Sequence, residues 1–361
     1  MLLIYYILSA LLITASLLPF ISHQHWMFRV WEFGRIQVMI LQLITLALGI
    51  LFVEDKSLLF WGIVMFHAGL IINHIIILIP YTTVYKKKNK ENIQKLSKTI
   101  SIISVNVYQF NERYEELIKL VKEVKPDILL TMESNQAWED ALTEIEEEYP
   151  NFKKVAFENT YGIHFYTKLP AKSIKVNYFT DDDLPSIEAS LFTEEGIPFT
   201  FFGVHPPPPS PTEEDNSRER DGELLSIGKK VKKIKGPVIV VGDFNNVAWA
   251  RSSILFRKTS ELIDPRIGRG FVFTYHARYR LLRFPIDLFF HSKDIFIEDF
   301  RTIRAIGSDH LPLFCKFFIN QNENMQDEEV DTLEEGEEEE VEEMINDGIN
   351  EESDRPEVAT E

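Results

Sequence analysis

The sequence predicts an α/β protein in which sheet packs on sheet, flanked by helices and preceded by transmembrane helices. Three observations carry this. Residues 98–319 alternate short β-branched apolar runs with stretches of helical spacing. Three long apolar stretches come before them, and a run of acidic residues comes after.

The apolar stretches are residues 2–21, 36–53 and 58–79. Each is close to the ~20 residues a helix needs to cross the hydrocarbon core, and charges fall between them. The first lacks a basic start and a small-residue cleavage site, so it reads as an anchor and not as a signal peptide. His67, Asn73 and His74 lie in the third stretch and read as helix–helix contacts. Basic flanks are the loop with Arg29 and Arg35 and the run Lys86-Lys87-Lys88-Asn89-Lys90, while the middle loop Glu54-Asp55-Lys56 is acidic on balance. With three spans both basic flanks share one side, which the positive-inside rule makes cytoplasmic. The expected organisation is an anchor at 1–80, a basic juxtamembrane linker at 81–97, an α/β domain at 98–319 and a tail at 320–361.

Within the α/β domain, residues 99–107 form a β-branched apolar run. Residues 111–124 have helical spacing, with Leu117, Leu120, Val121 and Val124 on one face, and Pro126 ends that helix. A second strand is expected at 127–132. Others are expected at 155–157, 163–167, 199–204, 238–241, 286–291 and 313–317. Residues 218–235 read as a charged helix. Cys315, the single cysteine, alternates into the last strand and reads as a buried structural thiol.

The acidic pI of 5.0 belongs to the tail. Residues 321–361 hold 19 acidic residues against one arginine, a net of −18, which equals the net charge of the whole chain. The rest balances at 37 acidic and 37 basic residues. With few apolar side chains to offset ordering entropy, the tail is expected to be disordered, serving solubility or recruiting a basic partner.

Several expected strands end in polar residues that a structural strand does not need. Asn106 closes the first, and Glu133 follows Leu129-Leu130-Thr131-Met132. His205 and prolines 206–209 follow Phe201-Phe202-Gly203-Val204, and Gly242-Asp243-Phe244-Asn245 follows Val238-Ile239-Val240-Val241. Asp287 and the triplet Ser308-Asp309-His310 add two carboxylates and an imidazole. Adjacent strand side chains point to opposite faces, so Ser308 reads as a local hydrogen bonder and not as a nucleophile. Carboxylates and amide oxygens suit a hard cation such as Mg²⁺, and no Cys/His cluster has zinc spacing. Histidines beside carboxylates suit acid–base work or stabilisation of developing negative charge. Together these are the parts needed for phosphoester hydrolysis.

In this order the motifs Ser104-Val105-Asn106, Met132-Glu133, Val204-His205-Pro206, Gly242-Asp243-Phe244-Asn245, Ile286-Asp287 and Ser308-Asp309-His310 resemble the endonuclease/exonuclease/phosphatase superfamily, as does Thr274-Tyr275. The membrane anchor and the His-Pro run further resemble its membrane-anchored bacterial branch, which implies an integral protein of the bacterial inner membrane. The resemblance implies a four-layer α/β sandwich of two packed mixed sheets, with the site at one sheet edge. It also implies Mg²⁺, or Mn²⁺, held chiefly by Glu133 with Asn106 and Asp309. Asp243 and Asn245 would orient or activate water, and Asp287 would hold His310. His310 would act as base or stabilise charge, and His205 would contact the scissile phosphate or protonate the leaving oxygen. Met132 stands where many relatives have Gln, and Leu288 where many of the membrane branch have His. His164 occupies a position that is usually apolar and is expected to be structural.

The expected activity is nuclease-like phosphodiester hydrolysis, with a phospholipid or inositol phosphate as the alternative substrate. A non-catalytic membrane platform is the contrasting class.

Overall fold

The computed structural model describes residues 2–54, 56–85, 93–322 and 325–353. The lysine run at 86–90, used above for orientation, lies outside these residues, as does Asp55.

The chain begins with α1 (Leu2–Leu17), α2 (Trp26–Phe33), α3 (Arg35–Phe52) and α4 (Leu58–Leu78). Three segments, Leu2–Phe20, Arg35–Phe52 and Leu58–Tyr81, are long and apolar enough to cross a membrane, with mean hydropathies of 2.1, 2.0 and 2.2. Polar contacts tie them together: Gln42 Nε2 donates to Ser16 Oγ (2.9 Å), and His74 bonds Ser16 Oγ (3.1 Å) and Arg35 (3.3 Å). The short helix α2 lies between the first two. Trp249 Nε1 donates to Glu32 O (2.8 Å), Arg251 N to Glu32 Oε1 (3.2 Å) and Trp26 N to Asp215 O (3.0 Å), so α2 is bonded to the domain. Leu78 and Tyr81 also enter the domain core, and Tyr81 OH donates to Ala248 O (2.9 Å). The expected linker therefore starts as packed structure, because Tyr81 buries its ring instead of spacing anchor from domain.

The domain comprises β1 (Ile100–Asn106), α5 (Tyr114–Val124), β2 (Ile128–Met132), α6 (Gln136–Leu142), β3 (Asn151–Val155), β4 (Ile163–Thr167), β5 (Ala171–Asn177), β6 (Ser186–Phe192), β7 (Pro198–Val204), α7 (Arg218–Lys232), β8 (Val238–Asp243), α8 (Arg251–Ser260), β9 (Asp287–His291), β10 (Ile295–Thr302), β11 (Leu313–Ile319) and α9 (Glu337–Ile349). One sheet has the order β10-β11-β1-β2-β4-β3 and the other β5-β6-β7-β8-β9. Both are mixed: β1–β2 and β7–β8 are parallel pairs and the remaining neighbours antiparallel.

Four layers follow from where the strands bury their side chains. Ile102, Leu130, Phe165, Phe201, Val241 and Phe289 fill the space between the sheets. On the outer face of the first sheet, Ile103, Val105 and Leu129 meet Leu117, Val121 and Trp138 of α5 and α6. On the outer face of the second, Phe202, Val240 and Phe290 meet Leu224, Leu225 and Phe256 of α7 and α8. Cys315 is a free, buried thiol in the inter-sheet layer.

Boundaries differ where pairing decides them. The strand expected at 155–157 is β3, which ends at Val155 because its pairing with β4 ends there, opposite Ile163. Helix α5 starts only at Tyr114, because Asn111 Nδ2 donates to Val107 O (3.1 Å) and Ile306 O (3.3 Å) instead of entering the helix. It ends on Lys125 in a left-handed conformation, one residue before Pro126.

The tail corrects a second expectation. It is not disordered over residues 325–353: α9 packs against α7 through Val341, Met344 and Ile345, which join the outer core. Those residues fall at i, i+3 and i+4, one helical face, and average composition hid them. Gly222 and Gly348 let the two backbones meet, since a Cβ on Gly348 would lie 2.6 Å from Arg218 O. Basic side chains of the same chain face the tail: Arg251 pairs with Glu337 and Glu340, Lys258 with Glu334 and Glu337, Arg257 with Asp331, and Lys229 with Glu342. The exposed pair Lys229–Glu342 contributes only about 0–1 kcal/mol, while Lys258–Glu337 is largely buried and works beside the apolar stripe. Val341 is fully buried. Val341→Asp puts an unpaired carboxylate there and is expected to cost about 3 kcal/mol, read as a lowered Tm.

Also on α7, Glu223 is buried and accepts hydrogen bonds from Ser186 Oγ (2.9 Å), Thr180 N (3.2 Å) and Thr180 Oγ1 (3.0 Å). Burial outweighs these bonds and pushes its pKa up from 4.5 to about 7. A folded-state pKa above the unfolded one gives stability that is complete below pH 4.5 and is lost as the pH rises to about 7. Glu223→Gln, which imitates the protonated acid, is expected to remove that decline. It should be more stable than the parent at pH 8, by about 3 kcal/mol at ~1.4 kcal/mol per tenfold. Chemical denaturation across this pH range checks the sign.

Candidate active site

Strand direction and register bring the predicted polar strand ends to one edge. In the first sheet, Asn106 at the end of β1 sits opposite Met132 in the parallel register, and Glu133 follows immediately. In the second, β7 and β8 run parallel with Val204 opposite Gly242, so His205 and Asp243 emerge side by side. The antiparallel β9 begins with Asp287 opposite Asp243. The approach of β7 to β8 is close: a Cβ on Gly242 would lie 1.9 Å from Val204 O, which explains glycine before Asp243. Glu133 (φ +58°) and Asn245 (φ +47°) hold left-handed backbone conformations that cost a non-glycine residue about 1–2 kcal/mol each.

Asn106 Nδ2 donates to Glu133 Oε1 (2.7 Å) and Asp243 Oδ2 (3.1 Å), bridging the two sheets. Its own Oδ1 accepts from Tyr108 N (2.9 Å). The amide thus turns its nitrogen to the carboxylates and its oxygen away, an arrangement that positions acids. Gln109 N donates to the second Glu133 oxygen (3.1 Å). Asp243 Oδ1 accepts from Asn245 N (2.9 Å), and Asn245 Nδ2 donates to Pro206 O (2.9 Å). His310 Nδ1 bonds Asp287 Oδ2 (2.8 Å), and its Nε2 lies 3.5 Å from Asp243 Oδ2. His205 Nε2 lies 3.9 Å from the same oxygen, with its ring against Tyr161. Ser308 Oγ donates to Asn106 O (2.8 Å) and accepts from His310 N (3.0 Å), the local bonding role expected of it. Asp309 lines the same pocket, and its carbonyl accepts from Ala277 N (2.6 Å).

Burial sets the electrostatics. It raises Glu133 to about 7 against the opposing Asn106 bond, and it raises Asp243 against the opposing charge of His310. Burial drives His205 down to about 4, only partly countered by Asp243. For His310 burial also acts downward, but Asp287 and Asp243 outweigh it and lift the imidazole to about 10. Among the described residues, Asp243, Asp287 and His310 offer metal-ligand atoms within 4.8 Å of one another. Asp287 Oδ1 and His205 Nδ1 are buried without a hydrogen-bond partner. A buried group of carboxylates with orphaned donors and acceptors fits a divalent cation and an anionic substrate.

All eight predicted residues meet at this edge, and seven of them line or bond within one pocket of about 540 Å³, with Asp287 behind His310. His164 does not. It is buried on β4 near Glu139 (3.9 Å), and burial pushes its pKa down to about 3. Several residues in or beside the pocket were given no role by the sequence reading. Tyr275 packs on His310 (ring centroids 4.9 Å), Thr274 Oγ1 accepts from Asp287 N (3.2 Å), and Tyr108, Phe110 and Thr160 form the rim. Thr274-Tyr275 had the only sequence signal, as a phrase resembling relatives. Trp26, Val30 and Phe33 of α2 form another wall and had none.

The family model described as "Endonuclease/Exonuclease/phosphatase family" matches residues 103–310. The structure is similar to TDP2 of D. rerio complexed with a single-strand DNA product, with TM-score 0.52 and 18% identity, covering 61% of this chain and 99% of that one. It is also similar to the human nocturnin catalytic domain with bound sulfate, with TM-score 0.51 and 17% identity, covering 63% and 97%. A "UPF0294 protein" of Klebsiella pneumoniae (strain 342) is 30% identical over 95 residues, 26% of this chain, and the match spans about a third (34%) of that relative's length. The two structural likenesses carry the fold, and the match over more than half of the chain carries the family: this chain belongs to the endonuclease/exonuclease/phosphatase family.

Proposed function

We propose that the chain is a membrane-anchored, divalent-metal-dependent phosphoester hydrolase. The observation that carries this is the meeting of Glu133, Asp243, the Asp287–His310 pair, His205 and Asn245 at one sheet edge.

Glu133 and Asp309 would hold Mg²⁺, or Mn²⁺, with Asn106 keeping Glu133 in place. Bound there, the cation supplies charge neutralisation at the phosphate and polarises the phosphorus–oxygen bonds. Asp243, fixed by Asn245 N, accepts the proton of the attacking water. An imidazole between two carboxylates favours its cationic form, so His310 stabilises the extra negative charge at phosphorus and is not the base. Asp287 fixes that ring. His205, kept neutral by burial, contacts the phosphate through its unpartnered Nδ1. Water oxygen bonds to phosphorus as its proton passes to Asp243, the ester bond to the leaving oxygen breaks, and that oxygen takes up a proton from solvent.

The anchor is the three apolar helices, with the domain on the side of α2 and the end of α4. The positive-inside pattern makes that the cytoplasmic side of a bacterial inner membrane. The test is hydrolysis of p-nitrophenyl mono- and diesters by the full-length protein with Mg²⁺. No turnover of either would sink the proposal.

A further inference from the structure

One wall of the pocket comes from the membrane side of the molecule. Trp26, Val30 and Phe33 of α2 line the space that Glu133, Asp243 and His310 also line. Gly34 alone separates α2 from α3, which is long and apolar enough to cross the bilayer. The wall therefore runs directly into a spanning helix. Beside it stands the segment Tyr279-Arg280-Leu281-Leu282-Arg283-Phe284. Gln37 Nε2 of α3 donates to Leu281 O (3.1 Å), and Phe33 packs edge-on to Phe284 (5.9 Å). Leu281 is 88% exposed and Leu282 54%, with Arg278 and Arg280 exposed around them. On α2 itself, Met27 and Val30 are half exposed. Apolar side chains alternating with arginine beside the start of a spanning helix match the headgroup boundary, where leucine enters acyl chains and arginine meets phosphate.

From this we infer that the substrate is a membrane phospholipid of the leaflet facing the domain. Its phosphate would reach the catalytic edge while its acyl chains stay along α2 and Leu281–Leu282. This rests on the hydrolase reading above and names the substrate class of that site. A long nucleic acid is disfavoured, because the chain outside the tail has no excess of basic residues and the tail is strongly acidic. The reaction is water attack on phosphorus with loss of the leaving oxygen as an alcohol, so a diester lipid cleaved on its lipid side gives a lipid alcohol and a phosphorylated headgroup, and phosphatidic acid gives the lipid alcohol and inorganic phosphate.

The test uses the full-length protein in vesicles of phosphatidylcholine, phosphatidylglycerol and phosphatidic acid, with phosphorus NMR to follow headgroup loss. Parallel assays use p-nitrophenyl mono- and diesters and a single-stranded oligonucleotide. The expected result is consumption of a vesicle lipid that falls at least about tenfold in the double variant Leu281→Asp/Leu282→Asp. The same variant should hydrolyse the soluble esters at the parent rate, which also reports that it folds. Soluble ester hydrolysis with no lipid consumed, or faster cleavage of the oligonucleotide than of lipid, overturns the inference and leaves the hydrolase reading intact. Lipid turnover unchanged in the double variant also overturns it. No hydrolysis of any probe removes both.

Discussion

Asp243→Ala is expected to lower kcat on a soluble phosphoester about 10³–10⁵-fold, the combined loss of a proton acceptor and of a charge partner for His310. Its carboxylate stands on β8 of the second sheet and meets two groups from the end of the first: Asn106 of β1 and His310 of the loop before β11 approach the same oxygen. Loss of that oxygen removes the acceptor without removing the residues that bind phosphate, so KM should change far less than kcat. Stability separates this from misfolding. Burial raises the pKa of Asp243, which means that the fold bears a cost to keep the group ionised. A cooperative melt of the variant, measured beside the parent, separates lost chemistry from lost fold. A variant that keeps turnover within tenfold would show that another group takes the proton.

Asp287→Asn should have the next largest effect, lowering kcat about 10³–10⁴-fold, because an Asp–His pair depends on the carboxylate to fix the tautomer. Asp287 Oδ2 lies 2.8 Å from His310 Nδ1 and is fully buried, so water cannot replace it. The amide keeps the volume and the Thr274-side backbone contact but can present its NH₂ to the ring, which reverses the imidazole or turns it. The cationic form of His310 is then no longer favoured. KM for a phosphoester should rise only modestly, and kcat should carry the loss. An unchanged kcat would remove His310 from charge stabilisation.

Much of the fold was legible because local chemistry and global position agree. Strands β1, β2, β7 and β8 are mostly apolar runs that end in or lead straight into a polar residue, and parallel pairing then sends those ends to one edge. The order of Asn106, Glu133, His205, Asp243, Asp287 and His310 carried the site for the same reason. What sequence missed depends on tertiary neighbours. Strands β5, β6 and β10 carry charged residues on one face, and only their pairing in the sheets defines them. Helix α9 was hidden by its glutamates, since three apolar residues on one face matter more than the net charge once Arg251 and Lys258 stand opposite. The role of Asn106 turned on which side of its amide faces Glu133, and a sequence carries no such information. The α2 wall required a helix from between two apolar helices to meet the candidate pocket, a contact with no periodicity to announce it.

The central claim is that a cation bound at Glu133 runs phosphoester hydrolysis at this edge. The direct measurement strips the purified full-length protein of divalent cations with a chelator and follows bis(p-nitrophenyl) phosphate as Mg²⁺ or Mn²⁺ is returned. Turnover should vanish in chelator, return with the metal in the parent protein, and fail to return in Glu133→Gln. Hydrolysis that persists in chelator, or a Glu133→Gln variant restored as fully as the parent, contradicts it.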